Sequence, residues 1–133
     1  MALEEDRNSR DYLFGRLLAI AENIEERALY LTKEIRDTNA AKLMHRFANR
    51  PASTWMNLEL ALAPSISRLR ANRPPLLLQR QKLLDNVVGM FRPDDFTSDT
   101  KLSGEFLLGY HCQKSALWAK LDDQNETNAG ENE

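Results

Sequence analysis

Apolar and polar positions follow the helical period along almost the whole chain. Leu13, Leu17, Ile20, Ile24, Ala28, Leu31 and Ile35 step by three or four residues, which draws one apolar stripe down a helix of about 25 residues. Such a helix is long enough to form an edge of a bundle. Asn8 or Ser9 stands at its N-cap and Asp11 in its first turn, while residues 1–8 are expected to fray. Gly15 and Arg16 fall off the stripe. Glu22, Glu25 and Glu26 also fall off it and read as a solvated face, with the option of pairing to a basic neighbour.

Asp37-Thr38-Asn39 ends this helix and offers caps for a second, from about Asn39 to Ala48. The second helix buries Leu43, Met44 and Phe47 and carries Lys42, His45 and Arg46 on its other sides. Arg50-Pro51 breaks it, because proline disfavours a helical residue before it. Ser53 or Thr54 then caps a third helix with Trp55, Leu58, Leu62, Ile66 and Leu69 on one stripe. Pro64 lies inside that stripe and removes the hydrogen bond to Leu60, which predicts a kink. Pro74-Pro75 resets the chain. A fourth helix carries Leu76, Leu77, Leu83, Leu84, Val87, Val88 and Phe91, with Arg80 and Lys82 exposed.

RPDDFTSDTK is a turn-rich connector with Ser98, Asp99 and Thr100 as capping candidates. The last helix, about Lys101 to Leu121, holds Gly104 and Gly109, each costing roughly 1 kcal/mol against alanine. Keeping both predicts a neighbour that approaches the backbone closely. DDQNETNAGENE has no apolar side chain able to build a core and predicts disorder. The pattern thus gives an all-α bundle of about five helices. Its one domain, residues 9–121, lies between a flexible N-terminus (1–8) and a disordered acidic tail (122–133).

Charge changes the picture. The formal net charge is −2, but the three acids of residues 1–6 and the five of residues 122–133 hide a basic middle. Removing those eight from the 20 acids leaves 12 against 18 bases in residues 7–121. Between Thr38 and Arg92 nine bases face only Glu59 and Asp85, and seven of the nine are arginine, the better fork for phosphate. A merely solvated helix face usually mixes signs; this one does not. Helix-dipole compensation accounts for part of the Arg68, Arg70, Arg73 cluster. Phe47 and Trp55 fall on apolar stripes and read as core, not as stacking platforms for bases.

Other chemistry finds no footing. His111 and Cys112 are sequence neighbours, about 100° apart on a helix, and cannot face one another as a catalytic pair. Two histidines and one cysteine lack metal-ligand spacing. No glycine-rich phosphate loop is present. The expectation is a protein that is not an enzyme and takes no cofactor, metal or small-molecule ligand. A single cysteine excludes an intramolecular disulfide, no apolar run approaches the roughly 18 residues of a membrane span, and the acidic N-terminus is unlike a signal peptide. These features predict a cytoplasmic chain.

Two stretches carry a family resemblance. NAAKLMHRFANRPASTWMNLELALAPSISRLR and FLLGYHCQKSALW resemble the C-terminal region of the large subunit of the type I-C CRISPR surveillance complex, Cascade. The more specific signature is F-x-LGY-x-x-Q-[RK]-x-x-L, met by Phe106, Leu108, Gly109, Tyr110, Gln113, Lys114 and Leu117. The earlier stretch matches through Asn39, Ala40, Phe47, Ala48, Pro51 and Ala52, and RDYLFGRLLAI is also similar, so the likeness spans about residues 10–120. Lys114 departs from the commoner arginine and loses the bidentate fork. The chain starts at a methionine just upstream of this region, and its length resembles the Cascade small subunit, which such systems make by starting translation inside the large-subunit gene.

The resemblance implies a structural role in antiviral defence. Copies of the bundle would line the belly of the complex, against its backbone subunits and beside its large subunit. There they would support the guide RNA–DNA hybrid and hold the displaced single-stranded DNA. Lys42, Arg46, Arg50, Arg68, Arg70, Arg73, Arg80 and Lys82 are the candidates for the phosphate track, chosen from charge distribution and not from the signature. The rival expectation is a protein-interaction spacer whose arginines pair with acids on neighbouring subunits and never touch nucleic acid.

Overall fold

The computed structural model describes the backbone of residues 2–128 and the side chains of residues 2–118. Among these residues all regular structure is helical: α1 (Arg10–Thr32), α2 (Asn39–Asn49), α3 (Pro51–Ala61), α4 (Ala63–Asn72), α5 (Pro74–Met90), α6 (Pro93–Phe96) and α7 (Glu105–Asn128). The all-α expectation holds, and the additional helices have local causes. Pro64 cannot bond the Leu60 carbonyl, so the expected kink divides the third helix at Leu62. A short turn, α6, forms in the connector. The helical backbone of α7 continues past Leu121 to Asn128, into the stretch read as an acidic tail, whose residues 129–133 lie outside the described residues.

α1 is the centre of the bundle, not an edge. Every residue from Tyr12 to Glu25 is buried, and α2, α3, α4, α5 and α7 all pack against this helix. The cause is readable in YLFGRLLAIA, where Arg16 is the only charge among ten residues: a helix apolar on all sides belongs inside. Leu13, Leu17, Leu18, Ile20 and Ile24 are fully buried, each contributing about 2 kcal/mol of burial free energy. The helix stops at Thr32, where Lys33 turns left-handed (φ 58°), so Ile35 leaves the expected stripe and is fully exposed.

α7 lies along α1 with almost no space between the backbones. A Cβ on Gly109 would sit 2.1 Å from the Tyr12 carbonyl oxygen, and one on Gly15 would sit 2.1 Å from that of Phe106. Gly109 therefore fulfils the expectation of close approach. Gly104 does not: it precedes α7 and has open space around it.

The remaining motif residues dress the same seam. Phe106 stacks on Phe47 at 5.8 Å, and Leu117 is buried. The Arg16 guanidinium, 3% exposed, donates from Nε to Gln113 Oε1 at 2.7 Å. The Tyr110 hydroxyl donates to Glu22 Oε1 at 2.6 Å, and Lys114 Nζ lies 3.1 Å from the same oxygen. Burial and the neighbouring Glu22 carboxylate push Tyr110 up to about 12, so it remains a donor. Gly109, Tyr110, Gln113 and Lys114 of the signature thus all meet α1, while the Phe106 ring meets α2.

The acids of α1, expected on a solvated face, are drawn inside by this packing. Glu22 and Glu25 are buried. Glu25 accepts from the backbone N–H groups of Asn39 and Ala40 at 2.9 and 2.8 Å and so caps α2 from another helix, alongside Thr38 Oγ1, which accepts from Ala41 N. Caps come from afar elsewhere too. Arg50, not Ser53 or Thr54, holds the N-cap position of α3, and Ser53 instead bonds through N–H and hydroxyl to the Asp99 carboxylate. Ser9 is the N-cap of α1, but its hydroxyl donates to Glu105. The N-terminal residues expected to fray are anchored: Arg7 pairs with Glu4 and with Glu105, and the Glu4 N–H donates to the Tyr12 hydroxyl.

Glu26 supplies a pH dependence. Burial, then the charges of Glu22 and Glu25, raise its carboxyl above the ordinary 4.5. The folded chain then holds this proton to higher pH than the unfolded chain does. Its contribution to stability falls as pH rises from 4.5 through the raised value. Glu26→Gln should remove that slope, so the variant's Tm rises relative to the wild type across this window in melts run at stepped pH. Parallel Tm–pH curves for the two proteins would contradict the assignment.

Candidate nucleic-acid interface

The eight basic candidates fall into groups set by their helices. Lys42 and Arg46 are exposed one turn apart on α2, with Arg50 exposed at the α2–α3 junction. Their direction is fixed by what α2 buries: Ala40 and Phe47 face the core, and the Phe47 ring meets Phe14 edge-on at 5.8 Å. Arg68 is half-buried, while Arg70 and Arg73 are exposed at the C-terminal end of α4, whose inner face is Ser65 and Leu69. Lys82 is exposed on α5, but it borders a groove that also holds Glu59 and Asp85, the two acids of this region, and so carries the least unopposed charge.

Arg80 corrects the expectation. It is buried, 4% exposed, with Nε donating to Asn23 Oδ1 at 2.8 Å. Its position is in phase with the inner face of α5, three residues after Leu77 and seven before Val87. Burial, then the charge of Arg27, lowers its pKa. Phe47 and Trp55 are buried, as their stripes predicted.

None of the eight forms an ion pair among the described residues, where the pairs involve Arg7, Arg10, Arg36 and Lys114. Arg50 comes no nearer to pairing than a weak influence on Asp99, whose pKa is lowered chiefly by its bonds to Ser53. The seven accessible cations are free to meet an anion from outside. Arg27 on α1 is not one of the eight but lies near Arg73 and Arg80: it is partly buried, stacks over Tyr30 at 5.6 Å, and is lowered in pKa by burial and then by the charge of Arg73. His111 is exposed and Cys112 buried, so the two point apart. Among the described residues no helix is long and apolar enough to cross a membrane.

Helices packed on a buried hub, with surface arginines that form no ion pair among the described residues, are the class that fold and surface define. The chain belongs to the CRISPR-associated protein family Cas_Csd1, whose profile matches residues 1–118. Among curated proteins none matches it.

Proposed function

We propose that this chain is a non-catalytic small subunit of a type I, RNA-guided CRISPR surveillance complex, of the type I-C class. In this reading it lines the belly of Cascade beside the backbone and large subunits and other copies of itself. It supports the guide RNA–target DNA hybrid and holds the displaced strand. Family membership supports the setting. The observation that carries the strand-holding part is the set of accessible cations, Lys42, Arg46, Arg50, Arg68, Arg70, Arg73 and Lys82, none of which is spent on an internal ion pair among the described residues.

The mechanism needs no reaction. Replacing a DNA duplex by an RNA–DNA hybrid is nearly balanced in free energy, so modest contacts to phosphate tip it. Guanidinium groups supply those contacts through counterion release, without reading bases.

Reversing Arg68, Arg70 and Arg73 together to glutamate tests the reading. The side chains are half-buried or exposed, so the fold should survive. Affinity of the isolated chain for single-stranded DNA should fall about tenfold or more, and the slope of log K against log salt should flatten by about 2, three contacts at ~0.7 each. Strand capture by the assembled complex should fall with assembly intact. Loss of assembly first, with DNA affinity unchanged, would favour the spacer reading, in which these arginines meet acids on neighbouring subunits.

A further inference from the structure

Arg27, Arg73 and Arg80 come from α1, the α4–α5 corner and α5, three elements packed against one another. Asn23 and Arg27 are one turn apart on α1 and share the face that meets Arg80. Asn23 satisfies only the Nε of Arg80. Nη2 of Arg80 and Nε of Arg27 are buried without any hydrogen-bond partner. Among the described residues no carboxylate pairs with any of the three arginines. Glu26, beside Arg27 in sequence, is the weakest of the influences on it.

A buried guanidinium with an open valence is costly, and a like charge bearing on it, Arg27 on Arg80 and Arg73 on Arg27, raises that cost. An anion shared by all three relieves both penalties at once. Carboxylate is planar and offers two oxygens; a tetrahedral phosphate group offers three or more around one centre, which suits donors arriving from three helices. Arg73 is exposed, so the cluster is open on that side. Arg27 stacks over the exposed Tyr30 ring.

We propose that Arg27, Arg73 and Arg80 form a seat for one phosphate group, with Asn23 as the positioning residue that aims Arg80. The seat turns a diffuse cationic surface into one with a fixed point, from which a bound strand takes its position. It rests on the nucleic-acid reading only for the source of the phosphate, since a free phosphate ion offers the same oxygens.

The test follows the Nε–H NMR resonances of Arg27 and Arg80 in the full chain during titration with inorganic phosphate at constant ionic strength. A saturable shift of both is expected, weakened at least tenfold by Arg27→Gln and unchanged by Lys101→Gln, at an exposed position outside the cation set. Arg73→Gln, at an exposed position, replaces Arg27→Gln should the latter not fold. In a second arm, a single-stranded oligothymidylate should move the same resonances and compete with phosphate, which names nucleic acid as the source. Should the oligonucleotide bind elsewhere while phosphate still shifts them, the seat stands and belongs to free phosphate. Oligonucleotide binding with neither ligand moving these resonances would overturn the seat and leave the nucleic-acid reading intact. Phosphate shifts without any oligonucleotide binding would do the reverse.

Discussion

Gly109→Ala is expected to destabilise the fold by about 3 kcal/mol or more, although alanine is the better helix former by about 1 kcal/mol. The sign is decided by what the new methyl meets. Its three nearest atoms are the Tyr12 carbonyl oxygen at 2.1 Å, the Tyr12 carbonyl carbon at 2.9 Å and Tyr12 Cα at 3.1 Å, all of them backbone in the most buried helix. A side chain can rotate away; a helix backbone can only move as a body. α7 would have to retreat by about an ångström to restore ordinary contact, and the Arg16–Gln113 and Tyr110–Glu22 bonds, set at 2.7 and 2.6 Å, would stretch together.

Gly15→Ala should behave alike, since its methyl would fall 2.1 Å from Phe106 O and 2.6 Å from Tyr110 N. Gly89→Ala, on α5 with nothing within 4 Å, is the control and should stabilise by up to about 1 kcal/mol. Urea denaturation measures all three. A Gly109→Ala midpoint at or above the wild type would show that the two helices are not held at this separation.

This seam marks where sequence reasoning succeeded and where it ran out. The cost of glycine in a helix pointed to a close approach at Gly109, and the helical period placed Phe47, Trp55, Leu58 and Leu69 in the core correctly. Periodicity also exposed the cations of α2 and α4, because there one stripe is apolar and the rest is free. It misjudged α1, since following a single stripe hides the fact that the other faces are apolar too. Charge alone puts Arg80 outside; its phase, shared with Leu76, Leu77 and Val87 on the buried face, puts it inside. The polar partners were beyond any local pattern: Arg16 and Gln113 are 97 residues apart, and Ser53 and Asp99 are 46 apart. Such pairs exist only once the helices have met, so their composition is visible beforehand but their partnership is not.

The acids of α1 carry the same lesson into a second large effect. Glu25→Ala should cost about 3 kcal/mol, from one buried and one part-buried N–H donor left without an acceptor at about 1–3 kcal/mol each, less what Thr38 and water recover. The carboxylate bridges Asn39 N and Ala40 N at 2.9 and 2.8 Å, at the N-terminal end of α2, where a negative charge also meets the helix dipole. Glu25→Gln should be no substitute. Its amide oxygen serves one N–H, while its NH2 group, itself a donor, faces the other.

The loss should be local as well as global. α2 is held by α1 and α3, and this cap is what fixes its first turn on α1. Hydrogen exchange of the α2 amides should therefore accelerate more than that of α1 or α7. Lys42, Arg46 and Arg50 ride on this helix and its end, so loosening it should also weaken single-stranded DNA binding without removing a single positive charge. An Glu25→Ala chain whose α2 amides exchange as slowly as the wild type's would show that Thr38 alone suffices to start the helix, and that the buried glutamate serves some other end.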